Sequence, residues 1–310
     1  MYFPYLRGRQ FELIAIRELL EKELIGSKII PIIEPVKYTS TLAKTLAVYS
    51  EKEHKCALIL NPGVGNFVST FRTKPHDEKT AKGIIDSINS PELIKAYLVI
   101  PGISSYFEER GYDLSKLMLV NAKTECIDEY SSLNLNEDPQ YVLMPFAPSF
   151  IRQRCSTKVL FEDKFEKAER NRDYSKKEDE FFSDDHLYYQ EEGFCGFSDY
   201  SIVGADYSET GFAPLAVAIH IVYFDEKKVL RIRHFVSDSN QDINDPAGKF
   251  GEAVGKLVEW VKAKNIYLTE GLKQFIECYE TGRYPGLGSV KKYSIMHHLE
   301  LMNRYLEGEL

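Results

Sequence analysis

The feature of this sequence that most constrains its fold is an alternation of short apolar runs with stretches of helical periodicity. Six apolar runs occur before residue 145, at 2–6, 28–36, 56–60, 96–100, 117–120 and 141–144. Their nearly continuous hydrophobicity is typical of strands that are buried on both faces, as in a parallel sheet. Amphipathic stretches lie between the runs, as crossover helices require. The pattern therefore predicts a parallel α/β fold.

Two further apolar segments bring the number of candidate strands to eight, which is the number that closes a TIM-type (β/α)8 barrel. These segments are 201–205 and 215–224, and the second continues across the turn DEKK into 229–235 as a β-hairpin. We therefore predict a TIM-barrel-like (β/α)8 fold. An open doubly wound sheet is the alternative, because it has the same alternation of strands and helices.

The regular alternation ends near residue 149, and this sets the predicted organisation of the rest of the chain. We expect one compact domain with four parts, which are the first six β/α units in 1–149, a charged and aromatic insertion in 150–197, the closing strands and hairpin in 198–246, and a C-terminal helical extension in 247–310.

The predicted insertion contains no obvious buried strand, and a loop of this length is usually functional. It combines many charges with the aromatic residues Phe181, Phe182, Tyr188 and Tyr189. Because such rings are costly to expose without a purpose, we expect the insertion to be mobile or to contact a partner.

Composition narrows the classes of partner. The chain has 39 Lys+Arg against 47 Asp+Glu, a net charge of −8, which argues against a generally basic surface for nucleic acid but leaves a local patch open. No apolar run approaches the roughly 20 residues of a membrane helix. Arg7 and Glu12 interrupt the N-terminus before a signal-peptide core forms. We expect a cytoplasmic protein that makes no membrane contact.

Four stretches carry a resemblance to a known family: 3–20 with 28–37, 196–221, 245–257 and 284–302. On these stretches the chain resembles the beta protein family of bacterial and phage genomes from its first residue to its last. The opening module, an extended Pro-Tyr-Leu-Arg piece followed by a helix and IIPIIE, is the most specific part. The resemblance implies an antiviral-defence or mobile-element setting with a protein partner encoded nearby. It implies no activity and no catalytic residue.

Polar residues that follow the predicted strands are the candidates for ligand binding, because the loops at the carboxyl ends of parallel strands converge on one mouth of a barrel. The candidates are Arg7, Arg9, Asn61, Asn121, Lys123, Arg152 and Arg154. Guanidinium and amide groups of this kind suit an anionic ligand such as a nucleotide or phosphate. An ordinary role on the surface is the alternative for each of them.

The candidates for catalysis are Glu34, Lys37, Asp206 and His220. Glu34 lies in the apolar run IIPIIEPV, where an ionised carboxylate is costly unless it is paired. It is either a functional group in the mouth beside Arg7 and Lys37, or half of an ion pair that locks strands together. His220 alternates with apolar residues, so it is either functional or a hydrogen-bonded core histidine.

A weak metal candidate lies after the hairpin. His234, Asp238 and Asp242 are spaced closely in RHFVSDSNQD, and such a donor set is compatible with Mg²⁺ or Mn²⁺. The alternative is a solvated turn before a helix that begins with Asp245 as its N-cap and Pro246 as its first residue.

Two hypotheses for function follow. The first is a recognition or regulatory component of a defence or mobile-element system, for which the barrel is a scaffold. The second is a barrel enzyme that acts on a phosphate-bearing or other anionic substrate at the mouth. An enzyme requires the candidate residues to converge on one pocket, whereas a scaffold leaves them in separate pairs on the surface.

Overall fold

The chain divides into two compact units. The computed structural model describes residues 1–73, 77–209 and 215–310, so residues 210–214, within one of the stretches that carry the family resemblance, lie outside the described residues. Unit 1 comprises Met1–Leu13, Gly26–Asp163 and Asp185–Tyr200, and unit 2 comprises Ile14–Ile25, Lys164–Asp184 and Ser201–Leu310.

The strands and helices are numbered in chain order. The strands are β1 (Tyr5–Leu6), β2 (Ile32–Ile33), β3 (Cys56–Ile59), β4 (Leu93–Leu98), β5 (Leu117–Val120), β6 (Tyr141–Met144), β7 (Lys158–Phe161), β8 (Asp179–Ser183), β9 (Gly196–Ser198), β10 (Ala218–Phe224) and β11 (Leu230–Val236). The α-helices are α1 (Gln10–Glu21), α2 (Ser40–Glu51), α3 (Phe67–Thr73), α4 (Glu78–Ile88), α5 (Ile103–Arg110), α6 (Ile127–Ser131), α7 (Pro148–Ile151), α8 (Asp185–Tyr188), α9 (Pro246–Lys264), α10 (Glu270–Thr281) and α11 (Leu287–Glu307).

Unit 1 contains a barrel of eight parallel strands in the order β1-β2-β3-β4-β5-β6-β7-β9. The last strand returns to the first, because Phe3 N donates to Phe197 O (2.9 Å) and Phe197 N donates to Met1 O (3.0 Å). Strands β2 to β6 are parallel and each is followed by a helix. The prediction of a TIM-barrel-like fold is confirmed.

The apolar runs form strands because the barrel buries both of their faces. All residues of β3 and β5 are buried, and so is every residue of β4 except Lys95. Alternate side chains of such a strand point into the barrel and towards the surrounding helices. Burial of each large apolar side chain contributes about 1.5–3 kcal/mol, so a continuous apolar run is stabilised in a barrel and not on an exposed sheet.

The two closing strands were predicted at the wrong places. The barrel is completed by β7 and β9, which both lie inside the predicted insertion 150–197. Residues 201–205 form a turn, and the segment 215–224 contributes β10 to a different sheet. The error has a physical reason in β9, which is only three residues long and includes Gly196 and Ser198. Backbone hydrogen bonds hold this strand, so it needs no apolar run.

The aromatic residues of the predicted insertion are divided between core and surface. Phe181 and Tyr188 are 54% and 47% exposed, whereas Phe182 and Tyr189 are buried. The expectation of four exposed rings is therefore wrong for two of them, because Phe182 lies on β8 and Tyr189 packs against Phe197 of β9, and the sequence revealed neither strand. Mobility and partner contact of this segment stay predictions.

Unit 2 is built on a three-stranded antiparallel sheet in the order β10-β11-β8. The predicted hairpin is present as β10 and β11. The third strand, β8, lies in the segment 150–197 that was predicted to be an insertion. Helix α9 covers one face of the sheet, where the Trp260 ring lies 5.0 Å from Tyr223 and 5.4 Å from Phe235. As predicted, α9 begins with Asp245 as N-cap, whose carboxylate accepts from Gly248 N at 2.8 Å.

The helical extension is anchored by His297, which is fully buried on α11. Its Nδ1 lies 2.8 Å from Thr269 Oγ1, and its Nε2 lies 2.7 Å from the carbonyl oxygen of Val222 on β10. Burial lowers the pKa of His297 to about 4, because the charged imidazolium would lose its hydration. A neutral histidine therefore joins α11 to the sheet.

Candidate functional site

Glu34, at the carboxyl end of β2, is the centre of a closed set of hydrogen bonds in unit 1. Its Oε2 accepts from the Tyr5 hydroxyl at 2.7 Å and from the Arg7 guanidinium, and its Oε1 accepts from Gly63 N at 2.8 Å. The carboxylate is only 1% exposed. The expected pairing with Arg7 is present, and the three donors come from the carboxyl ends of β1 and β3. Both oxygens of Glu34 are thus used within the barrel.

Arg7 is held by aromatic rings as well as by Glu34. Its guanidinium lies 5.5 Å from the centre of the Tyr5 ring and 5.3 Å from that of Tyr200. Burial lowers the pKa of Arg7, but the Glu34 carboxylate, together with Tyr5 and Tyr200, raises it by more. Arg7 therefore stays charged.

Three aromatic rings fill the carboxyl end of the barrel beside this pair. Tyr5 stacks on Phe161 at 5.2 Å, and Tyr200 lies 4.9 Å from each of these two rings. Tyr5 is on β1 and Phe161 is on β7, which are separated by β9, so rings that meet across this gap lie on the inner side of the barrel. All three are buried. This end of the barrel is occupied by packed side chains.

The two predicted amides are engaged by the backbone. Asn61 donates to Leu98 O at 2.9 Å and accepts from Leu98 N at 2.8 Å, so its side chain extends the pairing of β3 with β4. Asn121 is fully buried and donates to Leu143 O at 3.0 Å. Among the described residues, its Oδ1 has no hydrogen-bond partner. Asn121 is closed to solvent, and the amide group of the half-buried Asn61 is bonded at both its nitrogen and its oxygen to the backbone of Leu98.

The remaining cations do not converge on the mouth. Lys37 and Lys123 are exposed on the loops after β2 and β5, and neither forms an ion pair within the described part of the chain. Arg9 is half-buried, and its backbone N donates to Glu12 at 3.4 Å. The expected position of Lys37 beside Glu34 is not found, because the carboxylate is already enclosed by Tyr5, Arg7 and Gly63.

Arg152 and Arg154 lie away from the mouth, contrary to the prediction. They are exposed on the segment that joins α7 to β7, directly before that strand. Two residues further on, Ser156 N donates to Asp138 at 2.7 Å, and Asp138 precedes β6. The segment therefore lies near the amino ends of β6 and β7. The prediction failed because β7 was not recognised in the sequence.

Asp206 and His220 belong to unit 2 and not to the barrel. Asp206 is exposed, and its carboxylate lies 3.6 Å from Lys167 Nζ. His220 is half-buried on β10, where its Nδ1 lies 2.7 Å from Nδ1 of His234. The hairpin that carries His220 belongs to the three-stranded sheet, so the prediction that its strand closes the barrel is wrong.

The three metal candidates make separate contacts. His234 Nε2 lies 3.1 Å from Glu180, Asp238 lies 2.7 Å from Lys256 Nζ, and Asp242 accepts from Asn244 N at 2.8 Å. Within residues 1–73, 77–209 and 215–310, no three His, Cys, Asp or Glu side chains are grouped as a metal ion requires. The donor set that Mg²⁺ or Mn²⁺ needs is not assembled there.

Sequence reasoning missed several residues that define these clusters. Tyr5 and Gly63 complete the shell of Glu34, while Glu180 and Tyr174 complete that of the two histidines. Gly63 acts through its backbone N–H, which leaves no mark in the sequence. The contact between His220 and His234 could have been found, because a hairpin over DEKK places the two residues opposite each other.

Comparison with family models, with curated proteins and with solved structures finds no match to this chain. Of the helices in the described residues, none has the length and apolar character to span a membrane.

Proposed function

We propose that this protein is a cytoplasmic recognition component of an antiviral-defence or mobile-element system, as a member of the beta protein family. In this proposal the barrel is a scaffold that presents a surface to a protein partner encoded nearby. The resemblance of the sequence supports the setting, and the geometry of unit 1 supports the role as a scaffold.

The contacts of the candidate residues within the protein favour recognition over catalysis at the barrel mouth. Glu34 is buried and both of its oxygens accept hydrogen bonds from the protein, Lys37 is in solvent, and the Nδ1 atom of His220 lies 2.7 Å from Nδ1 of His234. Of the cations and amides expected to hold an anionic substrate, Arg7 is paired and Asn61 is bonded to backbone. An enzyme acting on an anionic substrate would need these groups together.

The observation that carries the proposal is a row of exposed side chains after three neighbouring strands. Ile100 follows β4, Lys123 follows β5 and Phe146 follows β6, and these strands are adjacent in the barrel. Ile100 and Phe146 are 44% and 48% exposed. We call these three residues the loop face. None of them belongs to a strand of the barrel.

The loop face fits a protein partner that offers apolar side chains beside a carboxylate. Two large apolar side chains flank one cation, and Lys123 has no ion pair in the part of the chain that the structure describes. Buried apolar area supplies most of the affinity of such an interface, while a charge pair at its rim sets the orientation and speeds association.

The test is co-expression of the chain with the products of its neighbouring genes, followed by size-exclusion chromatography. Wild-type protein should co-elute with one of them. The double variant Ile100→Asp with Lys123→Glu should lose the complex, because it replaces an apolar contact with a charge and reverses the cation.

The matched control is Ile85→Asp with Lys82→Glu. Ile85 is 47% exposed on α4, and the pair carries the same chemical changes outside the loop face. This control should bind as wild type does and should still protect cells against phage in the native operon. Equal binding by the two double variants, or no complex between the wild type and any neighbouring product, would overturn the proposal.

A further inference from the structure

Unit 2 holds a row of three ionisable side chains, with one from each strand of its sheet. His220 on β10 and His234 on β11 are register partners, and their Nδ1 atoms lie 2.7 Å apart. His234 Nε2 lies 3.1 Å from Oε1 of Glu180 on β8. The row therefore runs from a carboxylate through one imidazole to a second imidazole.

The hydrogen-bonding capacity of these groups fixes which nitrogen carries each proton. Glu180 also lies 3.4 Å from Lys177 Nζ, and a carboxylate paired with a cation can only accept. His234 Nε2 must then donate, so Nδ1 of a neutral His234 is an acceptor. His220 must donate to it through Nδ1. The lone pair of His220 is consequently on Nε2.

The groups around the two rings keep them neutral. Tyr174, in a short 3₁₀ turn (Asn171–Lys176), lies 4.6 Å from both imidazoles, and Phe165 lies 5.1 Å from His220. Burial lowers the pKa of His220, and His234 and Lys291 of α11 lower it further. Burial also lowers the pKa of His234, although Glu180 and Asp179 oppose this and Lys177 assists it. Both rings are neutral at pH 7, as the assignment of protons requires.

We propose that His220 Nε2 is a hydrogen-bond-accepting site for a neutral hydroxyl donor, either water or an alcohol group of a ligand. The donor keeps its proton, so no covalent bond breaks and nothing is oxidised or reduced. The hydrogen bonds from His220 to His234 and from His234 to Glu180 persist when the donor is bound. Glu180 therefore fixes, through His234, the tautomer of His220 that presents this lone pair.

The residues of this site lie in unit 2, and those of the loop face lie in unit 1. His220 is half-buried, whereas His297 is fully buried and both of its ring nitrogens are hydrogen-bonded within the protein. His297 is thus an internal reference for a histidine that presents no lone pair to solvent.

The test uses the full chain labelled with ¹⁵N-histidine. Long-range ¹H–¹⁵N spectra at about pH 7 should show His220 protonated on Nδ1 only and His234 protonated on Nε2 only. Diethyl pyrocarbonate, which acylates unprotonated imidazole nitrogen, should modify His220 in the folded protein and leave His297 unmodified, as read by peptide mass spectrometry.

Two variants test the role of the carboxylate. Glu180→Leu should convert His220 from one tautomer to a mixture, because nothing then fixes the proton of His234. Glu178→Leu removes an exposed carboxylate that faces Arg233 and should leave the tautomers unchanged. The proposal is overturned if wild-type His220 carries its proton on Nε2, if His220 resists the reagent as His297 does, or if the two variants shift the tautomers equally.

Discussion

Each unit places an acidic side chain against a basic one. The two clusters differ in the hydrogen-bonding capacity that remains after these contacts are made. In unit 1 the oxygens of the buried Glu34 accept from Tyr5, Arg7 and Gly63. In unit 2 the row from Glu180 through His234 ends on a ring nitrogen of His220 that has spare capacity. A buried carboxylate at a barrel mouth is therefore not evidence of chemistry by itself, because its acceptors must first be counted.

The largest expected effect tests the closed cluster from its cationic side. Arg7→Met keeps the length of the side chain but leaves Glu34 buried without its counter-charge, which should cost about 3–5 kcal/mol of the free energy of unfolding. Urea titration followed by circular dichroism measures the loss. Arg152→Met, at an exposed arginine, should change stability by no more than about 0.5 kcal/mol. Similar losses of stability in the two variants would contradict a stabilising ion pair between Arg7 and Glu34.

The next effect is the dependence of the stability of unit 2 on pH. The unfolded chain protonates His297 as the pH falls below its ordinary pKa of 6.5, whereas the folded protein does so only near its lowered pKa of about 4. Stability is therefore complete above pH 6.5 and is lost as the pH falls towards 4, by about 3 kcal/mol. The lowered pKa values of His220 and His234 act in the same direction.

Trp260 is the one tryptophan of the chain and lies in unit 2, so its fluorescence reports the unfolding of that unit. The urea midpoint should be lower at about pH 4.5 than at about pH 7. His297→Gln should weaken this dependence, since it removes the group with the assigned shift. Identical midpoints at the two pH values in the wild type would show that these histidines are not held neutral.

The smallest effect tests one hydrogen bond of the closed cluster. Tyr5→Phe removes the donor to Glu34 Oε2 but keeps the ring that packs against Phe161 and Tyr200. A hydrogen bond to a charged group contributes about 2 kcal/mol, so the loss should be smaller than that of Arg7→Met. Thermal melting measures it, with Tyr188→Phe as the exposed control. An unchanged melting temperature in Tyr5→Phe would mean that Glu34 does not depend on this donor.

A strand of the barrel could be predicted from the sequence only where burial of apolar side chains stabilises it. Strands β2 to β6 are recognisable because burial on both faces demands a continuous apolar run. Strand β9 is held by backbone hydrogen bonds and contains Gly196 and Ser198, so hydrophobicity does not reveal it. The alternation in 215–224 predicts a strand correctly, but it does not say to which sheet the strand belongs.

The same distinction applies to the sites. The pairing of Glu34 with Arg7 could be predicted, because a carboxylate in an apolar strand needs a cation close by in the chain. The contact of Glu180 with His234 could not be predicted, because the strand of Glu180 lies in a charged segment without apolar periodicity. Arg152 and Arg154 were misplaced for a related reason, since an unrecognised β7 reversed the end of the barrel to which they were assigned.

The claim that Glu34 serves the fold and not the function is tested most directly by Glu34→Gln. The substitution keeps the shape of the side chain and removes the charge that Arg7 requires. We predict a loss of about 3 kcal/mol in the free energy of unfolding, with wild-type partner binding and phage protection per folded molecule. Full stability combined with lost binding or protection would contradict the account and would make Glu34 a functional residue.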